Sequence, residues 1–95
     1  MIFTKKAEKN RQPGGYFHLQ EEKTKTRVSG FGLGDNIRLK DEYGNVWLGS
    51  ALRNDDGSVV YRFRDEHGKS LTGVSHGETV TLRDEVGSTW KGFIA

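Results

Sequence analysis

The side chains with the clearest chemical meaning are six basic residues that recur, interspersed with apolar ones, in three similar segments of the chain. Guanidinium and ammonium groups bind phosphate and carboxylate oxygens, so a strip of them on one sheet face suits a nucleic-acid backbone or an acidic protein. The alternative is an ordinary solvated face on which each cation pairs with a nearby acid. We call the set the basic strip, and its members are Arg38, Lys40, Arg62, Arg64, Arg83 and Lys91.

Six carboxylates form a second set, because each of the three segments contains the tetrapeptide Asp-Glu-x-Gly. Clustered carboxylate oxygens are the ligands that divalent cations prefer. Asp also starts tight turns by accepting backbone hydrogen bonds, and no copy matches the Asp-x-Asp-x-Asp-Gly calcium loop. Turn geometry is therefore the favoured interpretation, and no metal or cofactor is predicted. The acidic set, which alternate turns of a meander bring to one rim, comprises Asp41, Glu42, Asp65, Glu66, Asp84 and Glu85.

Catalytic chemistry has little support in the sequence. There is no phosphate-binding Gly-x-x-x-x-Gly-Lys-Ser/Thr loop, no nucleophile elbow and no pair of histidines at metal-ligand spacing. His18, His67 and His76 occur singly, and His67 occupies a position that Tyr43 and Val86 hold in the other two copies. That position does not require an imidazole. We therefore predict that the protein is not an enzyme.

Proteins that bind single-stranded nucleic acid stack its bases on exposed aromatic side chains. Successive side chains of a strand point to opposite faces of a sheet, and this alternation directs both tryptophans, together with Tyr61 and Phe63, to the inner face of the predicted sheet. The aromatic residues left for an outer surface are Tyr16, Phe17, Tyr43 and Phe93. Because so few remain, the sequence argues against a single-strand binder.

The elements that position these side chains are hairpins. Three copies share the pattern apolar-x-apolar-basic-Asp-Glu-x-Gly-x-x-large-x-Gly, and they span residues 37–49, 61–73 and 80–92. Asp at the first position of a type I turn, followed by Gly with positive φ, predicts a three-residue loop with a G1 bulge. This register sets Leu39 opposite Trp47, with Trp90 in the equivalent place. The large apolar residues then share one face, and both tryptophans are expected to be buried.

The composition favours short strands joined by tight turns, since the chain has thirteen Gly, one Pro and no window of helical apolar spacing. A further turn at residues 54–57 keeps the same face apolar through four consecutive strands. Gly49, Gly73 and Gly92 remove side chains from that face and allow the strands to bend. We therefore predict an all-β antiparallel meander of six to eight strands, closed into a small barrel or a two-layer roll. An open meander stacked on a second subunit is the alternative.

One domain is expected from a chain of 95 residues, and we place it at residues 16–95. Residues 1–15 are polar, aperiodic and end in Pro-Gly-Gly, which predicts a basic mobile arm. Residues 1–27 hold seven basic side chains against three acidic ones, an imbalance that suits an acidic partner. With no cysteine and no apolar run long enough to span a membrane, a cytoplasmic protein is predicted.

Two stretches ahead of the repeats are less regular. Residues 16–20 and 25–30 flank a polar segment and resemble a fourth hairpin that has lost its turn glycine. Three glycines then follow at alternate positions. Because glycine interrupts regular elements, residues 30–34 are predicted to be a connector.

These observations predict a non-catalytic binding module whose basic strip and N-terminal arm hold an acidic partner, either a nucleic acid or a protein. Phosphate contacts through a small sheet face imply affinity in about the micromolar range with little dependence on base sequence. The alternative is an assembly protein or adaptor that forms a homo-oligomer through exposed strand edges. A membrane partner is not expected.

Overall fold

A computed structural model describes residues 13–95, which fold as eight strands. The strands are β1 (Gly14–Glu21), β2 (Arg27–Leu33), β3 (Asn36–Asp41), β4 (Val46–Arg53), β5 (Val59–Asp65), β6 (Ser70–His76), β7 (Thr79–Asp84) and β8 (Thr89–Ile94). Each strand pairs antiparallel with the next, and β8 pairs with β1 to close a barrel. The predicted all-β meander is confirmed. Within residues 13–95 there is no helix that has the length and apolarity to cross a membrane.

The turn between β3 and β4 shows how the strand register is set. The N–H of Gly44 donates to the carbonyl oxygen of Asp41 (3.1 Å), and Gly44 has a φ of +88°. The Asp41 N–H donates to the carbonyl oxygen of Asn45 (3.0 Å). Oδ1 of Asp41 accepts the N–H groups of Tyr43 and Asn45, each at 2.9 Å. The aspartate therefore satisfies the backbone of its own turn.

The turns that begin at Asp65 and Asp84 repeat these hydrogen bonds. Their common geometry produces the register predicted from the sequence. The tryptophans of the first and last repeats lie opposite Leu39 and Leu82, and Phe63 lies opposite Leu71 in the middle repeat, all on the inner face.

Side chains fill the inside of the barrel. The ring of Phe17 packs edge-on against Tyr61 and Phe63, with centroids 5.3 and 6.1 Å away. Trp47 and Trp90 are buried as predicted, with 7% and 9% of their surface exposed. Burial of side chains of this size contributes roughly 1.5–3 kcal/mol each. Phe17, which the sequence left for an outer surface, is instead fully buried, because alternation along β1 directs it inward.

Strand β2 extends through the glycine-rich stretch, so the predicted connector at residues 30–34 is wrong. A Cβ on Gly30 or Gly32 would overlap the backbone of β3. The two glycines therefore let adjacent strands approach closely instead of interrupting the sheet. Strand β1 begins at Gly14, two residues before the predicted domain boundary. The rest of the predicted arm, residues 1–12, lies outside the described residues.

In the hairpin between β1 and β2, a glutamate accepts backbone N–H groups of the turn, as an aspartate does in each of the three repeat turns. Glu21 is buried, and its Oε2 accepts the N–H groups of Thr24 and Lys23 (2.7 Å for Lys23). These hydrogen bonds, that of Thr24 foremost, hold the pKa of Glu21 below its ordinary value of 4.5 although burial acts in the opposite direction. Lys25 has the left-handed conformation, with a φ of 63°, that glycine has in the repeat turns.

Candidate functional site

The basic strip lies on the outside of the barrel, and all six of its side chains are exposed. Its members do not form one flat patch, because they are spread over a closed cylinder. Arg38 and Lys40 lie on β3, Arg62 and Arg64 on β5, Arg83 on β7 and Lys91 on β8. The strip therefore extends around more than half of the barrel's circumference.

The first cross-strand row of the strip places Leu48 on β4 directly opposite both Arg38 and Arg64. Leu48 is 60% exposed, so an apolar side chain stands between two guanidinium groups. A surface groove of about 420 Å³ opens beside them and is also lined by Asp65 and Glu66. The row offers charge-assisted hydrogen bonds on either side of an apolar contact.

The second row places Thr72 on β6 opposite both Arg62 and Arg83. Arg62 and Arg64 are alternate residues of β5 and connect the two rows. Since strands lie about 4.8 Å apart and alternate residues about 7 Å apart, successive members are separated by about 7–10 Å at Cα. We call this set the arginine quartet, and it comprises Arg38, Arg62, Arg64 and Arg83.

Most side chains of the basic strip have no ion-pair partner among the described residues. Nζ of Lys91 lies 2.8 Å from Oε1 of Glu22, and both side chains remain about half exposed. In the part of the chain that the structure describes, the arginine quartet and Lys40 form no ion pair. Among the described residues, Lys91 is therefore the one member of the basic strip that pairs with a nearby acid, as cations on an ordinary solvated face do.

Five members of the acidic set, all except Glu66, accept hydrogen bonds from backbone N–H groups in the described part of the chain. Beyond the three aspartates and their turns, Oε1 of Glu42 accepts the N–H of Arg27 (2.7 Å). Oε1 of Glu85 accepts the N–H of Ser70 at the same distance. These glutamates join adjacent hairpins across the rim. Among residues 13–95, no group of three or more potential ligands is arranged to hold a metal ion.

An aromatic row that the sequence analysis missed crosses the outer face of β2, β1 and β8. It consists of Phe31, Tyr16, His18 and Phe93, in that order. Phe31 lies opposite Tyr16, and His18 lies opposite Phe93. The centroids of successive rings are 5.6, 5.6 and 5.1 Å apart. Each of Phe31, Tyr16 and Phe93 has more than half of its surface exposed. The sequence analysis assigned Tyr16 and Phe93 to an outer surface, but it did not assign Phe31 there and did not predict that these rings lie together.

The aromatic row adjoins the basic strip at both of its ends. Phe31 lies opposite Arg38 across β2 and β3. At the other end, Phe93 is the next outward residue after Lys91 on β8. A groove of about 530 Å³ beside Phe93 is also lined by Lys91 and Arg27. The strip and the row together surround the barrel.

Comparison with protein-family models, curated proteins and solved structures gives no match to this chain.

The three histidines lie on separate parts of the barrel: His18 in the aromatic row, His67 in the turn after β5 and His76 at the end of β6. The basic strip and the aromatic row on the outer surface are the features of the barrel that suggest a function.

Proposed function

We propose that the protein is a non-catalytic binding module that holds a nucleic acid against the outside of its barrel. The observation that carries the proposal is the arginine quartet, which is exposed and forms no ion pair within residues 13–95. Adjacent positive charges attract a polyanion, and the planar guanidinium group matches phosphate oxygens with two hydrogen bonds.

Phosphate contacts position a nucleic acid without selecting its sequence. We therefore expect affinity in about the micromolar range at low salt, with a steep dependence on salt concentration. Lys40 extends the contact surface beyond Arg38 on β3. Lys91 can join it by exchanging the carboxylate of Glu22 for a phosphate oxygen. The basic residues of the N-terminal arm add further positive charge.

Assembly through exposed strand edges is the second function that the sequence suggests. In the closed barrel, each of the eight described strands has a neighbour on both sides. Edge pairing requires unpaired backbone groups along a strand, so closure favours the binding module. A cytoplasmic location is part of the same proposal, because a chain without cysteine suits a reducing compartment.

Fluorescence anisotropy with a labelled duplex and a labelled single strand at low salt tests the proposal. The double reversal Arg62→Glu with Arg64→Glu should abolish binding while leaving the circular dichroism spectrum unchanged, since both side chains are exposed. Reversal of Lys23 and Lys69, which lie in turns outside the strip, makes the same change of net charge and should weaken binding much less. Deletion of residues 1–12 should also have a smaller effect.

Two results would contradict the proposal. One is the absence of binding to either nucleic acid at low salt. The other is unchanged binding by the Arg62 and Arg64 double reversal. In either case an acidic protein, or a second copy of this chain, becomes the better candidate for the partner of the basic strip, and light scattering of the purified protein distinguishes the second copy.

A further inference from the structure

We infer that the bound nucleic acid is single-stranded and that its bases stack on the aromatic row. The inference rests on the proposed function, because it specifies which nucleic acid the basic strip holds. It comes from three observations: the exposure of the rings, the cations at both ends of the row, and the path that the two surfaces follow around the barrel.

Three exposed aromatic rings lie together in the aromatic row. Phe31, Tyr16 and Phe93 are 56%, 52% and 53% exposed, and His18 joins them into a continuous row. Contiguous apolar surface of this kind, as distinct from single exposed residues, marks a binding site. Aromatic side chains on a sheet are the platform on which single-strand binding proteins stack successive bases, whatever the base.

Cations flank the row where the sugar-phosphate backbone of a stacked strand has to pass. Arg38 is one strand away from Phe31, a separation of about 4.8 Å between backbones. Lys91 is two residues from Phe93 on the same face of β8. Arg27 and Lys91 also line the groove of about 530 Å³ beside Phe93. Cations suited to phosphates therefore lie at both ends of a continuous row of rings suited to bases.

The path of this surface favours a flexible strand over a duplex. The basic strip extends from β3 to β8, and the aromatic row covers β8, β1 and β2. A duplex hides the faces of its bases and is stiff, with a persistence length of about 50 nm, so it meets a narrow convex barrel along only part of this path. A single strand exposes its bases and can bend around the curved surface.

The test compares oligothymidylate, a duplex and an abasic strand of equal length by anisotropy with the full chain. We expect the strongest binding for oligothymidylate, because the abasic strand keeps the phosphates and loses the stacking. Phe31→Ala and Phe93→Ala should each weaken oligothymidylate binding at least about fivefold. Their binding to the abasic strand should change by less than about twofold, since the cations are retained.

Tyr43→Ala is the matched control, because Tyr43 is an aromatic side chain, 75% exposed, in the turn after β3 and outside the row. It should leave oligothymidylate binding unchanged. Phe31→Leu and Phe93→Leu preserve apolar bulk and should show the same loss as the alanine variants, which keeps the test valid if an alanine variant fails to fold.

The outcomes separate this inference from the proposed function. If the Phe31 and Phe93 variants bind oligothymidylate like the parent while the Arg62 and Arg64 double reversal abolishes binding, the stacking surface is refuted and the binding module stands. If no nucleic acid binds, both fail. If the same variants instead convert an oligomer into a monomer in light scattering, with no change in affinity, the row is a contact between copies and the inference is overturned.

Discussion

Phe31 on β2 lies directly opposite Arg38 on β3, on the outer face of the barrel. The pairing joins the aromatic row to the arginine quartet. Tyr16 lies opposite Phe31 on its other side, and Leu48 and Arg64 continue the row beyond Arg38. Five consecutive strands thus present two rings, a guanidinium group, an apolar side chain and a second guanidinium group. Under the proposed mode of binding, a base stacked on Phe31 would have the guanidinium group of Arg38 one strand away.

Closure of the barrel depends on a close approach at Gly92. A Cβ at this position would overlap the backbone carbonyl of His18 on β1, the strand that pairs with β8. Because backbone cannot move aside as a flexible side chain can, Gly92→Ala should destabilise the fold by about 1–3 kcal/mol or more. Urea denaturation measures the difference. Ser29→Ala, on the exposed outer face, is the control and should change the free energy of unfolding by less than about 0.5 kcal/mol.

The two tryptophans are equivalent parts of the core. Trp47 and Trp90 are each almost fully buried, opposite Leu39 and Leu82. Truncating either to Ala should cost about 3–5 kcal/mol of unfolding free energy, which a small domain does not readily survive. The parent protein should show blue-shifted tryptophan emission that moves to the red on denaturation. Emission typical of exposed tryptophan in the native protein would contradict the register.

Acid should destabilise the hairpin between β1 and β2 through Glu21. Its folded pKa is lower than the ordinary 4.5 of the unfolded chain, chiefly because the Thr24 N–H donates to the carboxylate. The stabilisation is therefore complete above about pH 4.5 and is lost as pH falls through the folded value. Glu21→Gln removes the titrating group. Unfolding free energies measured between neutral and acid pH should fall more steeply for the parent than for the variant, and parallel curves would refute this role.

Lys25 is a site where a substitution should stabilise the protein. Its φ of 63° is left-handed, a conformation that costs a residue with a Cβ roughly 1–2 kcal/mol. Glycine removes that cost but adds about 0.5–1 kcal/mol of unfolded-state entropy. Lys25→Gly should therefore raise the free energy of unfolding by about 0.5–1 kcal/mol. Lys25→Ala, which keeps a Cβ, should give no such gain in the same thermal or urea denaturation.

The hairpins were predictable because their information is local. Asp41 and Gly44 specify a turn, the turn specifies a register, and the register determines that Leu39 meets Trp47 inside. Glycine at alternate positions was ambiguous by comparison, because it is compatible both with a connector and with a strand that closely approaches its neighbour. In β2 the glycines lie where β3 comes close, and that reason becomes visible only when both strands are in place.

The aromatic row was not predictable from the same patterns. Phe31 fell in the stretch interpreted as a connector, so no face could be assigned to it. The contact of His18 with Phe93 depends on the pairing of β1 with β8, which brings the two ends of the sheet together. Local alternation within β1 did contain a usable signal, since Tyr16 and His18 alternate with the buried Phe17.

The measurement that tests the central claim most directly is the affinity of the full chain for oligothymidylate as a function of salt concentration. If the arginine quartet neutralises one phosphate per guanidinium group, log K should fall with log salt at a slope of about −3, from about −0.7 per contact on a single strand. The Arg62 and Arg64 double reversal should flatten that slope or abolish binding. A slope near zero for the parent, or no binding at low salt, would contradict the claim that this surface holds a nucleic acid.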